Sequence, residues 1–401
     1  MLSHASNVHG RPVVVLQIAQ FSLRRAATRI AAAKQRLLDA DSMDGTSADD
    51  ATGECSALAS RWRMTDPLAR SAAARPPHSI LAARAEQTLK LMMNQSSEVA
   101  DERPIVGCQF SPDGSQLATG AWSGVLKVWS MPLCQKLLTI KAHSERITGV
   151  AWHPEASSSG RGQGTVALAS AATDTTARLW SASGALLRTL TGHTDRLGRV
   201  AFHPMGRHLG TASFDLTWRF WDVETGQCLL EQEGHSRGVY TVAFQGDGAL
   251  AGSGGMDAYG RVWDVRTGRS IMVLAGHVKA VLAMDFSPNG YLVATGSEDN
   301  TARVFDLRKK GVLAVLPGHT SLVSQVRFEP DSGGYLLTSG YDNVSKLWCG
   351  PKFKLARTLA GHEGKVMGSD VSPGGRFLVA TAGYDRTLKL WHPDEHAAHA
   401  M

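Results

Sequence analysis

Between Arg103 and His392 the chain alternates short apolar runs with clusters of Gly, Pro, Asn, Asp and Ser, and the alternation recurs. A clear copy opens at Gly276-His277. The apolar run Val281-Leu282-Ala283-Met284-Asp285-Phe286 follows, then the turn Ser287-Pro288-Asn289-Gly290, then Tyr291-Leu292-Val293-Ala294-Thr295-Gly296-Ser297. Asp299-Asn300 makes a second turn before Thr301-Ala302-Arg303-Val304-Phe305-Asp306. Runs this short, bounded by turn residues, predict strands rather than helices. Each copy therefore reads strand, turn, strand, tight turn, strand.

The copies align on an aromatic residue at Trp129, Trp180, Trp221, Trp263, Phe305, Trp348 and Trp391, spaced by 51, 41, 42, 42, 43 and 43 residues. An Asp stands six positions earlier in all but the first, where Ser123 takes its place, and a His recurs at 143, 193, 235, 277, 319 and 362. A repeat of about 40–45 residues with Gly-His near its start and Trp-Asp near its end resembles the blade of a WD40 propeller. The expected fold is all-β: a seven-bladed WD40 β-propeller over 95–393, with an N-terminal helical and disordered extension. A His, a turn Asp, a strand Ser or Thr and the indole nitrogen can form one hydrogen-bonded chain inside each blade. The predicted sets are His143, Asp174 and Trp180; His193, Asp215 and Trp221; His235, Asp257 and Trp263; His277 and Asp299; His319, Asp342 and Trp348; and His362, Asp385 and Trp391. Buried polar groups are normally satisfied partners, so these residues are read as structural and not catalytic.

Outside the repeat, residues 1–13 carry no pattern and are expected to be disordered. Residues 14–38 place Leu16, Ile18, Phe21, Leu23, Ala26, Ile30, Ala33 and Leu37 at roughly helical spacing, with Ser22 a candidate cap for a helix opening at Leu23. This segment is rich in cations and free of Asp and Glu, so Arg24, Arg25, Arg29, Lys34 and Arg36 are candidates for a partner protein or an RNA backbone. The plainer alternative is a solvated face on a helix that docks against the ring. Residues 39–94 read as a flexible linker with a short helix inside 81–94, and 394–401 as a tail. The Ser- and Gly-rich insertion EASSSGRGQGT accounts for the one long spacing and reads as a flexible loop. Because the chain ends soon after Trp391, the fourth strand of the last blade must come from elsewhere, and residues near Ser96–Ala100 are expected to supply it.

A propeller presents a rim. The residue before each turn Asp lies at a loop tip, which puts Trp122, Phe214, Tyr341 and Tyr384 on one face. The third residue after the marked His is basic at Arg146, Arg196 and Lys365. Aromatics and cations thus share an arc from blade six through blade one to blade three, the candidate partner-binding surface; the plainer alternative is that these aromatics pack against adjacent loops.

Composition adds bounds. The 401 residues carry a formal charge of +6, mildly basic and compatible with a nucleic-acid-rich setting. The five cysteines show no C-x-x-C spacing, which argues against a disulfide framework or zinc site and suits a reducing compartment. No apolar run reaches the roughly 18–20 residues of a membrane span. Gly252-Ser253-Gly254-Gly255 has no Lys-Ser/Thr or helix after it, so it is not a phosphate loop, and no nucleophile elbow or metal-ligand spacing occurs. No catalytic residue, cofactor or metal is expected.

The phrases DERPIVGCQFSPDG, ATGAWSGVLKVWS, GRHLGTASFDLTWRFWD, EGHSRGVYTVAF, GSGGMDAYGRVWDVRTGRSIMVLAGH and FSPNGYLVATGSEDNTARVFDLR go further. They resemble the WD40-repeat subunit of the U4/U6 small nuclear ribonucleoprotein, the pre-mRNA-processing factor four family, from about Asp101 to Trp391. QFSLRRAATRIAAAKQRL is similar to that family's basic helix. The resemblance implies a nuclear, non-enzymatic scaffold of the U4/U6 and U4/U6·U5 tri-snRNP particles, acting in spliceosome assembly. It implies contact with other U4/U6 proteins and, directly or through them, with U4/U6 snRNA. Family members carry a further N-terminal segment ahead of this helix; here it is absent, which puts cyclophilin contact through it in question. From another class, the same ring could serve as a substrate receptor or adaptor of a ubiquitin ligase or signalling complex.

Overall fold

Seven four-stranded antiparallel sheets form the ring. The computed structural model describes residues 11–41, 86–156, 165–350 and 352–394. The innermost strands are Ile105–Phe110, Ile147–Trp152, Leu197–Phe202, Val239–Phe244, Val281–Phe286, Val323–Phe328 and Val366–Val371. Each neighbours the next, and the seventh returns to the first, so the ring is closed. Burial follows this order. The second strands, such as His208–Ser213 and Tyr335–Gly340, are buried throughout, whereas outer strands such as Arg269–Leu274 are exposed along most of their length. Apolar clusters fill the space between adjacent blades, as where Ala283, Val304 and Leu316 of blade five meet Val326 and Trp348 of blade six. In all seven blades the outer strand's register shifts just beside the marked aromatic, a bulge that increases local twist.

The ring closes through its N-terminal side. Met92–Val99 pairs antiparallel with Thr387–Pro393, setting Met92 opposite Pro393 and Val99 opposite Thr387. The strand opens at Met92, earlier than 95, because Leu89 and Met92 are buried with Tyr335, Leu347 and Trp391 and pull this stretch out of the linker. A helical turn over 86–90 precedes it. Most of the linker, the insertion at 157–164, the tail beyond 394 and Cys55 lie outside the described residues.

Helix α1 (Arg11–Asp41) is longer than the expected 14–38 and takes in the end of the segment expected to be disordered. Pro12 is tolerated in a first turn, and no Gly or Pro follows to interrupt the helix. Ser22 is therefore not a cap. It lies inside the helix, its hydroxyl donating to the Ile18 carbonyl one turn back. Ile18 is buried against Trp218, Phe220 and Val242, and the Phe21 ring lies 6.1 Å from that of His203.

Hydrogen bonds between blades stiffen the face on which α1 rests. His153 Nε2 donates to the Gly206 carbonyl at 2.9 Å and His203 Nε2 to the Gly248 carbonyl at 2.8 Å. Gln245 Nε2 takes the same role toward Gly290. Nearer the axis, Gln109 accepts from the Trp152 amide, Asp285 from Phe328 and Asp370 from Phe110, each at 2.8 Å. Arg327 lies between the two carboxylates, 3.6 Å from Asp285 and 3.4 Å from Asp370.

Two predictions follow from this arrangement. Deleting residues 1–102 removes the closing strand, leaves Thr387–Pro393 as a free edge and should lower the thermal midpoint while promoting association. An unchanged melt would show that closure does not need this strand. The second concerns pH. Burial pulls His203 and His208 from 6.5 down to about 4, and it raises Asp370 from 3.8 to about 6 against the pull of Arg327. The histidine contribution is full above pH 6.5 and is lost as pH falls through about 4; the Asp370 contribution is full below 3.8 and is lost as pH rises through about 6. Asp285 is raised like Asp370, but burial also lowers His143, His235, His277 and His362, so the imidazoles outnumber the carboxylates and the midpoint should fall on acidification from 6.5 to 4. His203→Gln, which copies Gln245, should fold and show a shallower fall in pH-dependent melts.

Candidate partner-binding rim

The face opposite α1 is built on the polar chain inside each blade. In blade three, His193 Nδ1 lies 2.7 Å from Asp215, its Nε2 lies 2.7 Å from Thr211 Oγ1, and the Trp221 indole donates to that same oxygen at 2.8 Å. The direction of every proton is set by the ends. An ionised carboxylate only accepts, so Nδ1–H donates to Asp; on a neutral imidazole Nε2 then carries only a lone pair, and the hydroxyl that accepts the indole N–H donates to it. The same chain joins His143, Ser170, Trp180 and Asp174; His235, Ser253, Trp263 and Asp257; His319, Thr338, Trp348 and Asp342; and His362, Thr381, Trp391 and Asp385. Blade five lacks the indole, since Phe305 stands there, and its chain stops at His277, Thr295 and Asp299. Blade one keeps only Trp129 on Thr119, at 2.9 Å.

Each Asp also shapes the loop outside the blade. Asp299 accepts from the Val278 amide and from both the amide and hydroxyl of Thr301. The next residue is held at positive φ in every such blade: Thr175, Leu216, Ala258, Asn300, Asn343 and Arg386. L-residues resist this conformation, and the carboxylate's bonds on both sides hold them in it. Burial opposes ionisation of Asp299, yet its hydrogen bonds from Thr301 and His277 keep it down at about 2. Desolvation lowers His143, His235, His277 and His362, against the attraction of their aspartates.

A further in-phase position escaped the sequence reading. Two residues before the aromatic, every blade carries a cation: Lys127, Arg178, Arg219, Arg261, Arg303, Lys346 and Lys389. Lys127 donates to the Ala100 carbonyl at 2.6 Å, Arg178 to Ala142 at 2.7 Å and Lys346 to Gly318, tying the sheet to the loop that enters its blade, which in blades two and six carries the His. A period-aligned Lys/Arg was the available signal. His153, His203 and His208 were missed because they follow no blade-wide period.

The loop tips bring rim residues together in two groups. The Arg146 guanidinium lies 4.5 Å from the Trp122 ring centroid, and Trp122 meets Tyr384 edge-on at 5.7 Å. The Lys365 ammonium lies 5.0 Å from the Tyr341 ring, which links blades seven and six. Separately, Arg196 stands 4.0 Å over Phe214, which meets Tyr240 edge-on at 6.1 Å. Stacking on a ring orients a cation and leaves its N–H groups facing outward. Arg146, Arg196, Lys365 and Tyr384 are exposed, while Trp122, Phe214 and Tyr341 are half-buried beneath them. Blades four and five, bland at these tips, instead expose Ile271, Val273, Val312, Leu313 and Val315 on their outer strands.

The basic helix meets a different fate. Arg29 pairs with Asp247 through Nε at 2.9 Å and Nη2 at 2.6 Å, and donates to the Asn289 carbonyl at 2.6 Å. It clamps α1 to blades four and five and is not available as a recognition group. Arg25 lies 5.3 Å from the Phe21 ring centroid, Arg24 and Lys34 are exposed, and the Arg36 side chain lies outside the described residues. No helix among the described residues is long and apolar enough to cross a membrane.

The described residues form a closed seven-bladed ring, wired internally and crowned with stacked cations and aromatics. The chain belongs to the WD40 repeat family: the WD domain, G-beta repeat, matches residues 97–130, 134–181, 184–222, 226–264, 268–306, 310–349 and 353–392. Within that family it is homologous to proteins named for the U4/U6 particle. It is 37% identical over 184 residues to U4/U6 small nuclear ribonucleoprotein PRP4 of Saccharomyces cerevisiae, covering 43% of this chain and 37% of that one. It is 45% identical over 178 residues to the PRP4-like protein of Arabidopsis thaliana, covering 44% and 24%. Over 69 residues it is 49% identical to Prp4 of Homo sapiens, covering 17% and 13%. The matches thus span well under half of these relatives.

Asp299→Ala should lower stability by about 1–3 kcal/mol, the usual cost of leaving buried donors unpaired, because His277, Val278 and Thr301 lose their common acceptor. Chemical denaturation measures this, and an unaltered midpoint would remove the polar chain's structural role.

Proposed function

We propose that this chain is a non-enzymatic scaffold subunit of a U4/U6 small nuclear ribonucleoprotein, acting in the nucleus in pre-mRNA splicing. The homology to PRP4 proteins from yeast, plant and human carries this reading. In it the ring binds other U4/U6 proteins, and through them or directly the snRNAs, and the arc of Trp122, Arg146, Tyr384, Tyr341, Lys365, Arg196 and Phe214 is the principal docking surface. The stacked cations support that assignment: an oriented, partly desolvated guanidinium is suited to a carboxylate or phosphate. Purifying the tagged chain from nuclear extract and sequencing the bound RNA tests the assignment. Recovery of U4 and U6 RNAs is expected; recovery of ubiquitin-ligase subunits without RNA would replace it with the adaptor reading. Charge reversal at Arg146, Arg196 and Lys365 together should leave the melt within about 1 kcal/mol, since these are exposed side chains. It should sharply reduce co-sedimentation with the particle, and full incorporation of the triple variant would exclude this rim as the docking surface.

A further inference from the structure

Helix α1 has two apolar faces, and the ring uses one. Ile18 and Phe21 face the propeller, and Arg29 fixes the helix there. Leu16, Leu23 and Ile30 point away and are 59%, 67% and 49% exposed. They recur every seventh residue, and the spacing continues in the sequence to Leu37. At about 3.6 residues per turn, such a spacing draws one nearly straight stripe along a helix. Ala19, Ala26 and Ala33 stand three residues after each, so the stripe has the a and d pattern of a coiled-coil seam, large at a and small at d. Single exposed aliphatics are ordinary; three in heptad register on a clamped helix form a contact surface. The clamp also removes much of the ordering cost of binding.

Charge selects the occupant. Between Arg11 and Leu38 the sequence has no Asp or Glu, and Arg24 and Lys34 are exposed beside the stripe. We infer that the outer face of α1 is the seam for an acidic amphipathic helix of a partner protein, its aliphatic residues packed on Leu16, Leu23 and Ile30 and its carboxylates on Arg24 and Lys34. The alanines let the two backbones approach closely. A second copy of α1 would set like charges together, and RNA would satisfy the cations but leave the stripe in water. The seam lies on the face opposite the rim and stands independently of the splicing assignment.

The test uses the full chain. A fluorescent synthetic peptide with Leu at every a, Ala at every d and Glu on both flanks is titrated against the native chain and against Leu16→Gln/Leu23→Gln/Ile30→Gln. These side chains are exposed, so the variant should melt as the native chain does. It should bind the peptide about tenfold or more weakly, and a scrambled peptide of the same composition should bind no better to either. A photoreactive side chain at position 23, in cells expressing the full chain, should crosslink to an acidic segment with heptad-spaced aliphatics, identified by mass spectrometry. Equal binding of native and variant chains, equal binding of the scrambled peptide, or crosslinks confined to RNA or to a second copy of this chain would overturn the seam.

Discussion

The structure depends on a directional hydrogen-bond chain that begins at an indole N–H and ends at a carboxylate. Its two ends cannot exchange roles, so the hydroxyl and imidazole between them are locked into one arrangement of protons. Inside a blade, where water does not compete, that arrangement fixes where the loop carrying His lies over the sheet. The same Asp then holds the next residue in the left-handed region, and the residue before it forms the loop tip. Phe214 and Tyr341 owe their positions to Asp215 and Asp342, whose turns they enter. The rim is thus an outward consequence of buried wiring. Blade one, which lacks the His and Asp, keeps only the amide bond that every blade makes at this position, Trp122 to Pro104 as Phe214 to Arg196 and Tyr341 to Leu322, and the Trp122 ring is packed against Arg146 and Tyr384.

The two faces of the ring use histidine differently. On the rim side, imidazoles bond to aspartates. On the α1 side, His153 and His203 each donate from Nε2 to a neighbouring blade's turn and accept an amide of their own blade at Nδ1. The first device orders one blade; the second ties blades together. Helix α1 rests on the second, with Phe21 beside His203 and Arg29 on Asp247. Charge that reads as a recognition patch along the sequence is therefore divided: Arg29 fastens the helix, Arg25 lies over a ring of its own helix, and Arg24 and Lys34 face solvent.

Apolar surface is divided in the same way. Cations and aromatics gather at the loop tips of blades six, seven, one, two and three, whereas exposed aliphatics lie on α1 and on outer strands, most densely those of blades four and five. A ring with distinct polar and apolar surfaces can hold several neighbours at once.

The sequence alone determined the ring, because each blade repeats the same local solution and its His, Asp and Trp mark the period. Blade number, the polar sets and the need for a borrowed strand were legible for that reason, and the period-aligned cations could have been read in the same way. Tertiary structure decided what has no period. Ser22 reads as a cap from neighbours alone, yet the helix runs through it once Ile18 and Phe21 are packed on the ring. Arg29 reads as free charge until folding brings it to Asp247, far away in the chain. The rim residues were legible as loop tips, but which cation stacks on which ring depends on how adjacent blades meet. Short-range patterning specifies elements, while contacts between elements far apart in the chain specify which of their side chains remain to be used.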